Sequence, residues 1–457
     1  MSPMTPIDRS QLPEPGPAPA FHFPEITRSA LPNGLRIWTI RHVSIPVATV
    51  MLLVRRGAAD DPSGKEGLAA ITVDMLDEGT GPLSSIEVHE ALGRMGAQLD
   101  SDIGPDAALL TVTILSRFLD QAIGLLSDIA TRPSLADDDF SRVRQLRLHR
   151  LVQLRDMPGA VADRAFLRLL YGQHPYGHMP LGSDMSLSSL VADDVRAFHR
   201  DFIRPEDAFL IVAGDCSHRA VEEIAERAFG DWDRTAAAPL PDATELPAPV
   251  RLSVIARAGA PQSELRIGHV AVARNTPDYH ALIAANMVLG GQFVSRINLN
   301  LREEKGLTYG ARTSFDFRRM PGPFALQVSV QTAATAEAIH ESIGEIVALR
   351  DSRPVTSSEL SLAVAALTRG YPRNFETAEQ LARAATQLAL YDLPASYFDE
   401  FVPRIEGVTV EEVTRVAQQY LHPDRLTTLV VGDYGAIGAD LPGLGLGAPT
   451  LLAADNF

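Results

Sequence analysis

Cysteine is almost missing from this chain. Cys216 is the only one in 457 residues, so neither an internal disulfide nor a thiolate metal site can form. No stretch approaches the roughly 20 apolar residues that a membrane span needs. The opening MSPMTPIDRSQLPEPGPAPAF also lacks the basic start and apolar run of a secretion signal. A Pro-rich arm over residues 1–24 and a cytoplasmic location are therefore expected, with the periplasm as the alternative if a leader has been removed. Positive charge is in deficit: 41 Lys and Arg against 57 Asp and Glu leave a formal charge of −16. Such a chain is repelled at long range by nucleic acid and by anionic membranes, so neither is expected as a partner. There is no G-x-S-x-G elbow, and Cys216 follows a Gly-Asp turn without a recognisable His or Asn context, which argues against a self-sufficient nucleophilic hydrolase.

What is present is an ordinary globular composition, 46% hydrophobic and 21% charged, long enough for more than one core. The Ala- and Pro-rich run DRTAAAPLPDATELPAP, residues 233–249, has neither helical nor strand periodicity and reads as a linker. It divides the chain nearly in half, into units of 25–232 and 250–442, with a tail of 443–457. The halves are related, because DDVRAFHRDFIRPEDAFLIVAGD (193–215) aligns without a gap to EEVTRVAQQYLHPDRLTTLVVGD (411–433). Each copy reads as helix, turn, buried strand and Gly-Asp turn, with strands at 208–213 and 426–431 apolar enough to be central in a sheet.

In the first half, strands are expected at 35–40, 47–54 and 107–115, and helices from about Leu68, at 119–130 and at 137–156. In the second, strands are expected at 263–272 and 324–330, and helices at 278–289, 334–349 and 357–366. Long helices between strands and hairpins, in a duplicated order, predict an α+β protein of two lobes. Each lobe would be a mixed or antiparallel sheet with helices packed on one face.

Two segments carry chemistry. RRGAADDPSGKEGLAAITVDMLDEGT (55–80) resembles the zinc-helix region of the pitrilysin/insulinase family of peptidases, which includes the mitochondrial processing peptidase. In active members that helix carries H-x-x-E-H. Its two histidines, one turn apart, bind Zn²⁺, while the Glu between them activates water. Here those positions are Ala70, Val73 and Asp74. The family's third ligand, a Glu on a later helix, corresponds to Arg150, or to His149 if the register slips by one. Ala and Val can neither ligate a metal nor move a proton, and a guanidinium repels a cation, so no cofactor is expected on this chain. Asp74 is expected to pair with Arg150 across the old cavity. A substitute site from Asp74, Asp77 and His149 would be a poor shell, with a single carboxylate between apolar neighbours at the old position. His174 and His178 are four apart in HPYGHMPLG, but Pro175 and Gly177 prevent the helix that would align them.

The second segment, ANMVLGGQFVSRINLNLREEKGLTYGARTSF (residues 285–315), resembles the same family's second-lobe signature, G-G-x-x-x-S-R followed by L-R-E-x-x-G-L-x-Y. The resemblance spans about residues 25–442. It implies that Arg302 and Tyr309 are the pair that grips substrate at the zinc of another lobe. A Tyr hydroxyl can donate to a developing oxyanion, and a guanidinium can clamp a backbone carbonyl. Gly290 and Gly291 would allow close backbone approach, and Ser295 and Arg296 would shape the cleft. Loss of the zinc half beside retention of the gripping half implies half of a clamshell. A sister subunit would supply H-x-x-E-H and zinc, with unstructured peptides as substrates. The alternative is a catalytically silent scaffold of the same fold, which has no need of an intact Arg/Tyr pair.

Overall fold

The computed structural model describes residues 21–233 and 245–453. Most of the arm, most of the linker and the last four residues lie outside them. The first half contains strands β1 (Ile26–Ala30), β2 (Arg36–Arg41), β3 (Val47–Val54), the short hairpin β4 (Gly79–Thr80) and β5 (Leu83–Ser84), β6 (Leu99–Ile103), β7 (Ala108–Leu115) and β8 (Ala208–Gly214). Its helices are α1 (Leu68–Asp74), α2 (Ser85–Arg94), α3 (Leu119–Thr131), α4 (Asp137–Arg155), α5 (Pro158–Tyr171), α6 (Asp184–Ser189), α7 (Ala192–Phe202) and α8 (His218–Phe229). The second half contains β9 (Ser253–Ala256), β10 (Gln262–Val270), β11 (Ala311–Phe315), β12 (Pro323–Gln331), β13 (Thr427–Gly432) and β14 (Thr450–Leu452). Its helices are α9 (Tyr279–Asn286), α10 (Arg296–Asn298), α11 (Thr335–Arg350), α12 (Ser357–Thr368), α13 (Ala378–Tyr391), α14 (Tyr397–Glu406), α15 (Val410–Tyr420) and α16 (Tyr434–Ile437).

The sheets repeat one plan. The first has the order β1-β2-β8-β3-β7-β6 and the second β11-β12-β10-β13-β9-β14. In each, the strand ending in Gly-Asp runs parallel to one neighbour (β8 to β2, β13 to β9) and antiparallel to the other (β3, β10), and two further antiparallel strands follow. Only the outermost strand on the parallel side differs: β1 is antiparallel to β2, whereas β14 is parallel to β9. Residues 450–452, within the segment read as a tail, thus complete the second sheet.

Both central strands are buried on both faces, and their alternation shows what covers each. Leu210 and Val212 of β8 point into a core built with α3 and α8 of the same half. Phe209, Ile211 and Ala213 point the other way, onto Leu381, Ala385 and Leu388 of α13 from the second half. The second sheet returns the contact, with Leu429 and Val431 of β13 packed against Val161, Ala165 and Phe166 of α5. Each lobe's own helices thus pack on one face of its sheet, as expected, and the opposite face is covered from the other lobe. A sheet apolar on both faces must be covered twice, and each lobe lends the other one helix. Polar ties reinforce the exchange: Arg55 forms a bidentate pair with Asp392 (2.8 Å for both bonds), and the Arg266 guanidinium donates to Asp163 at 2.7 Å. No helix among the described residues is long and apolar enough to cross a membrane.

Candidate functional site

The zinc-helix position is filled by packing. Asp61, fully buried, accepts the amides of Gly67 and Ala69 (both 2.6 Å) and starts α1 at Leu68. Burial pushes the Asp61 carboxyl up, against the pull of His178, whose Nε2 lies 3.0 Å away, and of those amides. Ala70 and Val73 are both buried, and Val73 belongs to the first-lobe core. Asp74 pairs with Arg147, not Arg150, and the Arg147 guanidinium also donates to Pro180 O at 3.0 Å. Arg150 lies on the exposed side of α4, bonded to Gln153 Oε1 at 3.3 Å, and His149 is exposed beside Gln145. Helical spacing explains the correction. Val143 and Leu151 are buried, and residue 147 falls midway between them at intervals of four, so it faces inward, while 150 turns away. The pattern V-x-x-x-R-x-x-x-L was the signal that could have identified it.

Two apolar side chains and an Asp–Arg pair do not make a zinc shell. No group of three or more His, Cys, Asp or Glu suited to a metal occurs among the described residues. Asp77 sits 3.6 Å from His89. His174 and His178 are taken separately: His174 Nδ1 accepts the amide of Tyr176 at 3.1 Å, and His178 serves Asp61.

Beside α1 lies β6, an edge strand with one side unpaired. Gly104 N–H donates to Ala107 O at 2.9 Å at the turn into β7. Alternation back along the hairpin puts Asp102 and Asp100 in the bonded pairs, so the backbone groups of Leu99, Ser101 and Ile103 point to the open side. The corresponding strand of the second lobe, β11, is capped at its first residue, Ala311. Asn298 acts as a strand stub, its Oδ1 accepting Ala311 N–H and its Nδ2 donating to Ala311 O, both at 2.8 Å.

The Arg/Tyr segment is built on widened helix. Met287–Gly291 and Leu299–Glu304 are π-helical turns, so the helix expected to run to Leu289 ends as α9 at Asn286. Gly290 is pressed against β11, where a Cβ would stand 2.6 Å from Thr313 Oγ1 and 2.8 Å from its amide nitrogen. A Cβ on Gly291 would likewise stand 2.7 Å from Asn286 Nδ2. The Arg302 guanidinium stacks 3.9 Å above the Phe293 ring. Its Nη1 is buried without a hydrogen-bond partner, 3.5 Å from Glu303. Thr308 fastens the following loop by donating to Ser329 O at 2.7 Å, and Tyr309 beyond it is 94% exposed. Phe293, Val294 and Leu299 are exposed on the same segment. A groove of about 500 Å³ over the outer face of β11, β12 and β10 is lined by Gly290, Gly291, Phe293 and Arg312.

Ser295 and Arg296 do not reach that groove. Ser295 is buried, its Oγ accepting the Asn298 side chain at 3.1 Å. Arg296, 6% exposed, donates to both oxygens of Glu359 (2.6 and 2.8 Å) and to the carbonyls of Arg353 and Pro354. Burial would raise the Glu359 carboxyl, but the bonds from Arg296 and Thr356 outweigh it and hold it at about 2. These two residues therefore anchor the segment, correcting the expectation that they shape the cleft.

Comparisons with known proteins agree on this architecture. Residues 36–180 match the family described as insulinase (peptidase family M16), and residues 189–367 match the peptidase M16 inactive domain. An uncharacterized zinc protease of Mycobacterium tuberculosis is 25% identical over 414 residues, covering 90% of this chain and 93% of the relative. The uncharacterized zinc protease YmxG of Bacillus subtilis is 21% identical over 406 residues, covering 89% and 98%. A peptidase M16 inactive domain from Pseudomonas fluorescens superposes with a TM-score of 0.83 at 22% identity, over 90% of this chain and 98% of that one. The periplasmic protease PqqL of Escherichia coli superposes with 0.76 at 17% identity, over 93% of this chain and 47% of the longer protein. With both lobe descriptions matched in order along the chain, this protein belongs to the insulinase (M16) peptidase family.

Proposed function

We propose that this chain is the non-catalytic subunit of a heteromeric zinc peptidase, presenting Arg302 and Tyr309 to peptide bound at the H-x-x-E-H zinc of a sister subunit. The observation that carries this reading is the contrast between the lobes. The first has closed its metal position with Ala70, Val73 and the Asp74–Arg147 pair. The second holds an exposed phenol, a guanidinium with one unsatisfied nitrogen, and the apolar rim of Phe293, Val294 and Leu299. Such a surface suits burial against another protein.

In the assembled site, zinc on the sister would activate water. Tyr309 Oη–H would donate to the scissile carbonyl oxygen as it gains charge, and Arg302 would clamp a neighbouring backbone carbonyl. The substrate would be an extended, unstructured peptide whose backbone pairs with an open sheet edge of the kind β6 presents. Gly290 and Gly291 leave the groove wall without side chains there.

The test is to mix this chain with a purified H-x-x-E-H sister and follow cleavage of a quenched peptide. Activity is expected only from the mixture. Tyr309→Phe should lower kcat about 10²–10³-fold, the usual loss for one oxyanion donor. Activity of the sister alone that is indifferent to this chain, or to Tyr309→Phe and Arg302→Ala, would leave the silent scaffold as the better reading.

A further inference from the structure

Arg164 and Arg168 stand one turn apart on α5. With Glu66, His178, Met179 and Met185 they line a cleft of about 170 Å³ in the first lobe, separate from the Arg302–Tyr309 surface. A guanidinium has five N–H donors. Arg164 spends one on Gly182 O (2.7 Å) and Arg168 one on Gly172 O (2.9 Å). The acids on the adjoining segments are engaged elsewhere, Asp184 by Arg155 at 3.2 Å and Asp163 by Arg266 at 2.7 Å. Arg164 is half-buried; desolvation, and then the field of Arg155, lower its proton affinity. Opposite charge is supplied by Glu66, whose carboxylate accepts the Gly64 amide at 3.1 Å. His178 is engaged, with its Nε2 3.0 Å from Asp61. The remaining wall is thioether, with Met185 80% exposed at the rim.

We propose that this cleft binds a free α-amino acid with an apolar side chain, its carboxylate on Arg164 and Arg168, its ammonium on Glu66, and its side chain against Met179 and Met185. Spare guanidinium donors match a carboxylate in geometry and charge. A polarisable methionine pair accepts aliphatic groups of varied shape. Glu66 opposes a phosphate dianion, and the volume falls below the roughly 300–1,000 Å³ of sites for larger ligands. The inference concerns this chain alone and does not rest on a sister subunit.

Calorimetric titration of the isolated full-length chain with leucine, leucinamide, N-acetylleucine and inorganic phosphate tests it. Leucine should bind saturably in the millimolar range, with the amide and the acetylated form each at least tenfold weaker. Arg168→Gln, at an exposed position, should weaken leucine at least tenfold, and Glu66→Gln should abolish the discrimination against N-acetylleucine. The proposal is overturned if leucine gives no saturable heat, if phosphate binds more tightly than leucine, if leucinamide matches leucine, or if Arg168→Gln binds leucine like the parent chain.

Discussion

At the scale of single residues, the pairing of Asp74 decides how α1 is tied to α4. Arg147 is nine-tenths buried and ties both α1 and the 180 loop, so Arg147→Ala leaves the Asp74 carboxylate and the Pro180 carbonyl without this partner. We expect a loss of about 1–2 kcal/mol, discounted because Asp74 is partly exposed, against less than about 0.5 kcal/mol for Arg150→Ala. Urea unfolding of the two variants measures the difference, and equal midpoints would refute the assignment. The sequence pointed to Asp74 on α1 because a missing ligand is visible one residue at a time. It missed the partner on α4 because an alignment register, shifted by even one position, turns a helical side chain by about 100°, whereas the buried Val143 and Leu151 locate the inward face directly. Arg296 was misplaced for a related reason. An arginine inside a functional signature looks the same in sequence whether it reaches substrate or, as here, ties α10 to Glu359.

At the scale of elements, the strands and long helices were legible wherever periodicity was strong. Strand 47–54 was read to the residue, and the basic helix at 137–156 to within one. The π-helical turns were not legible; the first of them, Met287–Gly291, is pressed against β11 through Gly290. That contact gives a prediction: Gly290→Ala forces the added methyl into Thr313, and overpacking of this kind costs typically about 1–3 kcal/mol. A matched Gly344→Ala on α11, where an added Cβ meets nothing within 4 Å, should be neutral or slightly stabilising. Chemical denaturation of both variants checks the contrast, and a stable Gly290→Ala would show that the two segments are not pressed together. The open side of β6 and the asparagine cap on the first residue of β11 were likewise invisible, because that cap joins residues 13 positions apart.

At the scale of the whole molecule, the exchange of α5 and α13 makes the lobes mutually dependent. A single unfolding transition is expected, not one for each half. Its midpoint should respond to acid through buried histidines. Burial, the main cause, lowers His269 to about 4, although its contact with Val270 O works the other way. His280 is likewise lowered to about 4, by burial and then by the charges of Arg404 and Arg274. The unfolded chain takes up these protons near pH 6.5 and the folded chain only near pH 4, so their stabilising effect is full above about pH 6.5 and declines as the pH falls between the two values. Calorimetric scans over that range test both points; two resolved transitions, or a midpoint that rises on acidification, would contradict them. Nothing in the sequence announced the exchange, because α5 and α13 have ordinary amphipathic patterns, and only the double-sided apolarity of β3 and β8 hinted that a second cover was required.

The borrowed helix also bears on how the protein is made. A ribosome delivers the first sheet complete when β8 emerges, yet Phe209, Ile211 and Ala213 have no cover until Leu381 to Ala389 have been synthesised. For most of translation the nascent first half therefore carries a bare apolar face, of the sort that chaperones hold and that aggregates when they are scarce. Expression of the halves as separate chains should yield soluble material only when both are produced together.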